Sequence, residues 1–230
     1  QADLVTLHVP YTRDGHWPTH HLVVAGFLSR LQAGAILLNT SRGAVADNAA
    51  LDAWLTAHTD MTAVLDVWEG EPAISMELMD RVALATPHIA GYSLDGKLRG
   101  TDMIYRAACE HLGQAPVWQV SKAVPPAPEL VLGDSGDMPG TVRAAILAAY
   151  DIREDDRRLR ATRDLSAGEQ AIMFDRLRKE YPVRREFSEL TVRLDAPDAE
   201  TRRVLGGLGF RIAAAGDDAS AAHRVARQGQ

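Results

Sequence analysis

Residues 35–43 read Ala35-Ile36-Leu37-Leu38-Asn39-Thr40-Ser41-Arg42-Gly43. An unbroken apolar run gives way in one step to polar residues. A strand with one wet face alternates apolar and polar side chains. A continuous run instead marks a strand covered on both faces, as in a parallel sheet flanked by helices. The same pattern recurs on either side. Leu4 to Val9 precedes it, and Thr62-Ala63-Val64-Leu65-Asp66-Val67 and Val82-Ala83-Leu84-Ala85 follow. Helical patterns fill the gaps. A short helix around Leu28-Ser29-Arg30-Leu31 stops at Gly34, and a second runs from an Asp47 cap to about His58 with Leu51, Trp54 and Leu55 at helical spacing. A third spans Met76 to Arg81. Strands alternating with helices predict an α/β fold built on a parallel sheet.

A long helix from Leu94 to His111 ends at Gly113, and a stretch rich in proline and glycine follows (Pro116, Pro125, Pro126, Pro128, Gly133, Gly136, Pro139, Gly140). Proline lacks an amide donor and resists helix, so the domain boundary is expected here. Residues 1–115 form the first domain in this reading, 116–140 a linker and 141–230 a small α+β domain. In the last of these, helices are expected over Val142–Tyr150, Glu154–Arg163, Glu169–Tyr181 and Ala199–Leu205, and strands over Leu190–Leu194 and Phe210–Ala213. The alternating Arg157, Arg158, Arg160, Arg163 and Asp155, Asp156, Asp164 read as a solvated helix face. The tail from Asp217 is expected to fray.

The chain has 230 residues with 25 Lys+Arg against 31 Asp+Glu, a formal net charge of −6. Residues 1–115 hold all of that excess, and neither half is basic, so bulk charge gives no support to nucleic-acid binding. The single cysteine, Cys109, excludes an internal disulfide or a multi-cysteine metal site. No apolar run approaches the ~18 residues needed to span a bilayer, and no leader-like segment opens the chain, so a soluble, cytoplasmic protein is expected. The chain opens on Gln1 and almost at once on a strand pattern, which points to a longer parent.

Three polar loops carry the chemistry. They are Asn39–Gly43, Asp66–Pro72 and Thr86–Ser93, each at the C-terminal end of an expected strand. That edge of a parallel sheet is where ligands bind. It would gather Arg42, His88 and two or three of the carboxylates Asp66, Glu69 and Glu71. Oxidation of a secondary alcohol needs a base for the hydroxyl proton, and histidine, with an ordinary pKa of about 6.5, suits that task. A carboxylate beside the ring favours the imidazolium and fixes the tautomer. A guanidinium grips a substrate carboxylate with two prongs. A lone histidine after a strand is more often structural; the three loops in this order are the stronger signal. Spacing alone does not choose among Asp66, Glu69 and Glu71 as the partner of His88.

The segments Asn39–Gly43, Leu65–Pro72 (LDVWEGEP) and Pro87–Tyr92 resemble the signature loops of NAD-dependent D-2-hydroxyacid dehydrogenases. The strings HIAGYSLDGKLRGT (88–101) and FDRLRKEYPVRREF (174–187) resemble a subfamily that acts on a small phosphorylated 2-hydroxy acid and dimerises through a small C-terminal domain. The resemblance runs from Asp3 to about Arg211. It implies the second half of a Rossmann-like domain followed by a small α+β dimerisation domain, with NAD as cofactor and a homodimer as the working form. It also implies roles: Arg42 on the substrate carboxylate, Glu71 as the acid partner, His88 as proton donor or acceptor, Asp66 on the nicotinamide carboxamide, Thr40, Ser41, Arg42 and Gly91 along the cofactor, and Tyr92 on substrate. The family's acid stands five residues beyond its Asp, which selects Glu71. No metal is implied. Departures are plain. The chain has no G-x-G-x-x-G; Gly206-Gly207-Leu208-Gly209 precedes a strand and reads as a turn; Val9 stands where the family often carries threonine.

Other constellations are weaker. His16, His20 and His21 could ligate a metal, but Trp17 and Pro18 lie among them and loop packing is the plainer reading. Ser41 or Ser93 with His88 would suggest a hydrolase, yet no G-x-S-x-G elbow occurs. Lys97, Arg99, Arg184 and Arg185 are candidates for a phosphate, with surface pairing to Glu180, Glu186 or Glu189 as the bland alternative for the last two. Two rival functions stand beside the main one: another D-2-hydroxyacid dehydrogenase, such as one acting on phosphoglycerate, and a non-catalytic dimerising or nucleotide-sensing module. The Arg42, Glu71 and His88 set argues against the second, because a sensor needs no base.

Overall fold

The structure, a computed structural model, describes residues 2–119, 124, 126–133, 137–195 and 197–213. Part of the expected linker and the tail from Asp217 lie outside the described residues. The chain forms two units, each made of two separated stretches: Gln1–Ala90 with Ile152–Pro182, and Gly91–Asp151 with Val183–Gln230.

The first unit contains the expected parallel sheet. Its strands are β1 (Leu4–Leu7), β2 (Ile36–Asn39), β3 (Thr62–Leu65) and β4 (Leu84–Ala85), side by side in chain order. Asn39 lies opposite Leu7 and Leu65, and Leu65 opposite Ala85. The register brings the residues that follow each strand to one edge. Leu37, Ala63 and Leu65, on one face, are fully buried, whereas on the other face Leu4 and Ile36 are exposed and Leu38 and Val64 half-buried, so the cover expected on both faces is complete on one only.

Helix α1 (Ala25–Leu28) closes earlier than the pattern at Leu28–Leu31 predicts. Leu28 is its buried end, the Ser29 amide bonds back to the Ala25 carbonyl, and Arg30 and Leu31 continue as turn. Helix α2 (Asn48–Ala57) begins as expected at Asp47, whose carboxylate accepts the Ala50 amide at 2.9 Å. Helix α3 (Met76–Arg81) starts at a Ser75 cap.

The expected domain boundaries differ from this division. Helix α4 (Leu94–His111) and helix α5 (Met138–Ala149) belong to the second unit. Helices α6 (Ile152–Arg160) and α7 (Ala167–Lys179) belong to the first, where Leu159 and Phe174, each 1% exposed, join the core of the parallel sheet. Each such buried side chain contributes roughly 1.5–3 kcal/mol. Polar ties reinforce the packing. Asp156 accepts the Ala85 amide at 2.7 Å, and Arg160 donates to the Met79 and Val82 carbonyls at 2.7 and 2.8 Å. Those carbonyls end α3 and would otherwise lack partners. The charged run is therefore not simply a solvated face: Arg160 works as a cap, Asp155 is buried beneath the Tyr181 hydroxyl, and Arg163 pairs with Asp80, while Arg157 and Arg158 do pair locally with Glu154.

The second unit mixes helices and strands, and its three strands, β5 (Glu129–Leu132), β6 (Thr191–Leu194) and β7 (Arg211–Ile212), run parallel in that order. Strand β5 lies inside the stretch expected to be linker. Helix α5 starts four residues before its expected position, because Pro139 sits in its first turn, where the missing amide costs nothing. Helix α8 (Ala199–Gly207) takes in Gly206 and Gly207, and the turn into β7 is made by Leu208 and Gly209, the latter at φ +102, so only the second half of the glycine cluster is the expected turn. Ala145, Leu190, Val192, Leu205 and Phe210 form the core, with Phe187 stacked on Phe210. No helix among the described residues is long and apolar enough to cross a membrane.

Arg184 and Arg185 each have a partner in the second unit. Arg185 binds both oxygens of Asp95, and Arg184 lies 4.5 Å from the Tyr150 ring centroid. Partial burial pushes the Asp95 carboxyl up, but the Arg185 guanidinium and the Glu186 amide outweigh it and hold it below the usual range. A lowered native value stabilises the fold above the ordinary carboxylate pKa of about 3.9, and that contribution is lost as pH falls through the native value. Urea titrations across pH are expected to show Asp95→Asn less stable than wild type at neutrality, with the gap closing below about pH 3.9. A gap that persists unchanged into acid would show that the carboxylate charge is not what stabilises this corner.

Candidate active site

The three loops meet at the C-terminal edge of the first sheet, and named contacts tie them together. Asn39, fully buried, organises the first. Its side-chain oxygen accepts the Ser41 amide and hydroxyl at 3.1 and 3.0 Å, and its amide nitrogen donates to the Arg42 carbonyl at 3.1 Å. This holds Arg42 exposed beyond the strand end, with Nη1 on the Ser41 carbonyl at 2.6 Å. Gly43 then lies flat on the second loop. A β-carbon there would sit 2.0 Å from the Trp68 carbonyl carbon and oxygen and 2.5 Å from the Glu69 amide nitrogen, so only glycine allows this approach.

The second loop turns at Gly70, with φ +82, and sends its two glutamates to different partners. Glu71 Oε1 accepts the Trp68 amide at 2.7 Å, and Oε2 lies 2.7 Å from His88 Nδ1. Glu69 Oε1 lies 2.7 Å from His21 Nε2. The buried Trp68 indole donates to the Thr86 carbonyl at 2.9 Å and joins the second loop to the third.

The third loop hangs on Asp66, only 4% exposed. Its carboxylate accepts the Thr86 hydroxyl and the Ile89 and Ala90 amides at 2.6, 2.8 and 2.9 Å, and its carbonyl accepts the His88 amide at 2.7 Å. A buried carboxylate requires such donors. They hold His88 at φ +56, a left-handed conformation unusual for a residue with a β-carbon. The ring remains 27% exposed and its Nε2 has no hydrogen-bond partner among the described residues.

The structure thus brings Glu71 and His88 into contact and carries Arg42 on an adjoining loop. Thr40 is half-buried, and the Ser41 hydroxyl is committed to Asn39 rather than to His88. Gly91, Tyr92 and Ser93 belong to the second unit, where the Lys97 ammonium sits 3.8 Å from the Tyr92 ring centroid and Ser93 donates to Glu186. No serine–histidine contact of a hydrolase occurs among the described residues. His20 bonds the Tyr11 hydroxyl, His16 packs on Trp17, and no cluster of three metal-ligating side chains forms among the described residues. The sequence reading passed over Asn39 and Trp68. A buried asparagine closing an apolar strand, and a tryptophan between two acids, were the available signals.

The chain matches known proteins in two stretches. The family described as D-isomer specific 2-hydroxyacid dehydrogenase, NAD binding domain, matches residues 1–90, and a domain family of unknown function matches residues 123–209. The erythronate-4-phosphate dehydrogenase of Cellvibrio japonicus (strain Ueda107) is 47% identical over 215 residues, covering 91% of this chain and 57% of that protein. The enzyme of the same name from Marinobacter nauticus is 45% identical, over 92% of this chain and 56% of its own length. The chain therefore spans a little over half the length of these curated relatives. Among solved structures, the holo form of D-mandelate dehydrogenase from Rhodotorula graminis is 35% identical over 41% of this chain and 27% of that one, with a TM-score of 0.38. With the dehydrogenase match falling on residues that build the three-loop edge, and with relatives matching across nine-tenths of the sequence, residues 1–90 of the chain belong to the D-isomer specific 2-hydroxyacid dehydrogenase NAD-binding domain family.

Proposed function

We propose that the protein containing this chain oxidises 4-phospho-D-erythronate at C2 to 2-oxo-3-hydroxy-4-phosphobutanoate with NAD, a step of vitamin B6 biosynthesis, in the cytoplasm and as a homodimer joined through the C-terminal region. The observation that carries the chemistry is the 2.7 Å contact between His88 Nδ1 and Glu71. An ionised carboxylate only accepts, so in the reading proposed Nδ1 donates to Glu71. Nε2 then carries the lone pair and faces no protein donor among the described residues. It removes the C2 hydroxyl proton, and Glu71 stabilises the imidazolium that results. Arg42, with one donor on Ser41 and its remaining donors without partners among the described residues, grips the substrate carboxylate.

Thr40, Ser41, Arg42, Asp66 and Gly91 would hold NAD. Asp66 fits a nicotinamide carboxamide because its Oδ2 accepts one amide and keeps an acceptor position. When bound, NAD supplies the acceptor for the hydride from C2. The names of the relatives support the phosphorylated substrate, and Tyr92 is the residue we place on it.

In a substrate panel on the full-length protein, 4-phospho-D-erythronate is expected to give the highest kcat/KM, and a preference for 3-phosphoglycerate would move the reading to another member of the family. The isolated 230-residue chain, which carries no G-x-G-x-x-G, is expected to bind NAD weakly in calorimetry. Micromolar affinity there would mean that the helix N-terminus of a pyrophosphate loop is dispensable.

A further inference from the structure

We propose that His21 is a positioning residue for the substrate-binding loop, acting through Glu69 and Ala44 on Arg42. The inference rests on the role given to Arg42 above. Among the described residues, two that are not glycine hold a positive φ: His88 at +56 and His21 at +50. Both are histidines, and each sits 2.7 Å from a glutamate of the same turn, His88 from Glu71 and His21 from Glu69, with Gly70 between the two acids. A left-handed backbone at a residue with a β-carbon persists only where the surroundings fix it. At His88 the surroundings build the proposed base. At His21 they build a clamp.

The clamp has two jaws. The His21 backbone amide donates to the Ala44 carbonyl at 2.9 Å, two residues past Arg42. The His21 ring donates from Nε2 to Glu69 Oε1, and Glu69 Oε2 accepts the Asn48 amide at 3.3 Å. The Asn48 side chain, oriented as its neighbours require, donates to the Ala46 carbonyl at 3.2 Å and accepts the Glu69 amide at 2.9 Å. The second contact closes the circuit, because Gly43 rests on the Trp68–Glu69 peptide. Arg42 is thus held from its N-terminal side by Asn39 and from its C-terminal side by His21 and the Glu69 web. The other charged group near the ring, Asp47, has Oδ2 4.0 Å from Nδ1, beyond hydrogen-bond reach, and His20 stacks on the ring with centroids 4.0 Å apart. The Nε2–Glu69 bond is therefore the specific polar tie of the side chain.

A ring that only filled space would be replaceable by any side chain of similar bulk. A positioning donor is replaceable only by another donor. The test uses the full-length protein with saturating NAD and varied 4-phospho-D-erythronate, comparing wild type, His21→Leu and His21→Gln. His21→Leu is expected to raise KM for the acid about tenfold with kcat changed far less, because the lost contact weakens ground-state and transition-state binding alike. His21→Gln, which can donate to Glu69, is expected to recover most of the affinity. Unchanged KM in His21→Leu, or equal damage in both variants, would overturn the proposal. If wild type oxidises no 2-hydroxy acid, the functional reading fails by itself. The clamp is then judged from amide hydrogen exchange, expected to quicken over residues 42–48 in His21→Leu and not in His21→Gln, and equal exchange in the two would overturn it.

Discussion

Replacing His88 by glutamine in the full-length protein is expected to lower kcat for 4-phospho-D-erythronate by about two to four decades, the range that loss of a general base produces. Glutamine retains bulk and a polar tip but has no lone pair basic enough to take the hydroxyl proton. Everything else about the loop stays in place, because Asp66 holds it through the Thr86 hydroxyl and the Ile89 and Ala90 amides, and none of those bonds involves the imidazole. The loss should therefore fall on turnover rather than on folding, and NADH formation under saturating substrate reads it directly. Turnover within tenfold of wild type would remove His88 from the proton-transfer step and leave the contact with Glu71 as a structural pair.

The second large effect is on stability. Gly43→Ala is expected to cost at least the ~1–3 kcal/mol typical of overpacking, at the upper end or beyond it. The added carbon would fall 2.0 Å from the Trp68 carbonyl group. A flexible side chain could swing away from such a clash, but a peptide group cannot. The first and second loops must part, and with them go the Gly43 contact with Trp68 and the Asn48–Glu69 bonds. Denaturant midpoints of wild type and variant measure the loss. A cost well under about 1 kcal/mol would mean that the two loops are less closely apposed than the structure places them.

The parallel sheet was legible from its unbroken apolar runs alternating with helical patterns, although one face of it carries exposed Leu4 and Ile36, and α2 because Asp47 stands directly before its periodic residues. Strand β5 was not. Four residues between Pro128 and Gly133 carry no periodicity of their own, and the surrounding prolines pull the reading toward a linker. The side to which α6 and α7 belong was hidden for a different reason. Their outward charge dominates the sequence, while their attachment rests on single residues such as Leu159 and Phe174. Within the site, the choice between Glu69 and Glu71 could not follow from spacing, since Gly70 reverses the chain between them and sends each to a histidine. Family resemblance picks Glu71 for His88. Nothing in the linear order announces that His21, 48 positions away, takes the other.

The return of α6 and α7 to the first unit has a consequence for biosynthesis. A ribosome delivers residues 1–90 well before residues 152–182, yet Leu159 and Phe174 complete the apolar interior that residues 1–90 begin. Until that later segment emerges, the nascent sheet lacks part of its cover, and the whole of α4, β5 and α5 must be threaded out in between. The first unit cannot be completed before its neighbour is begun; it waits for the translation of a stretch that lies beyond the whole of its neighbour's first segment.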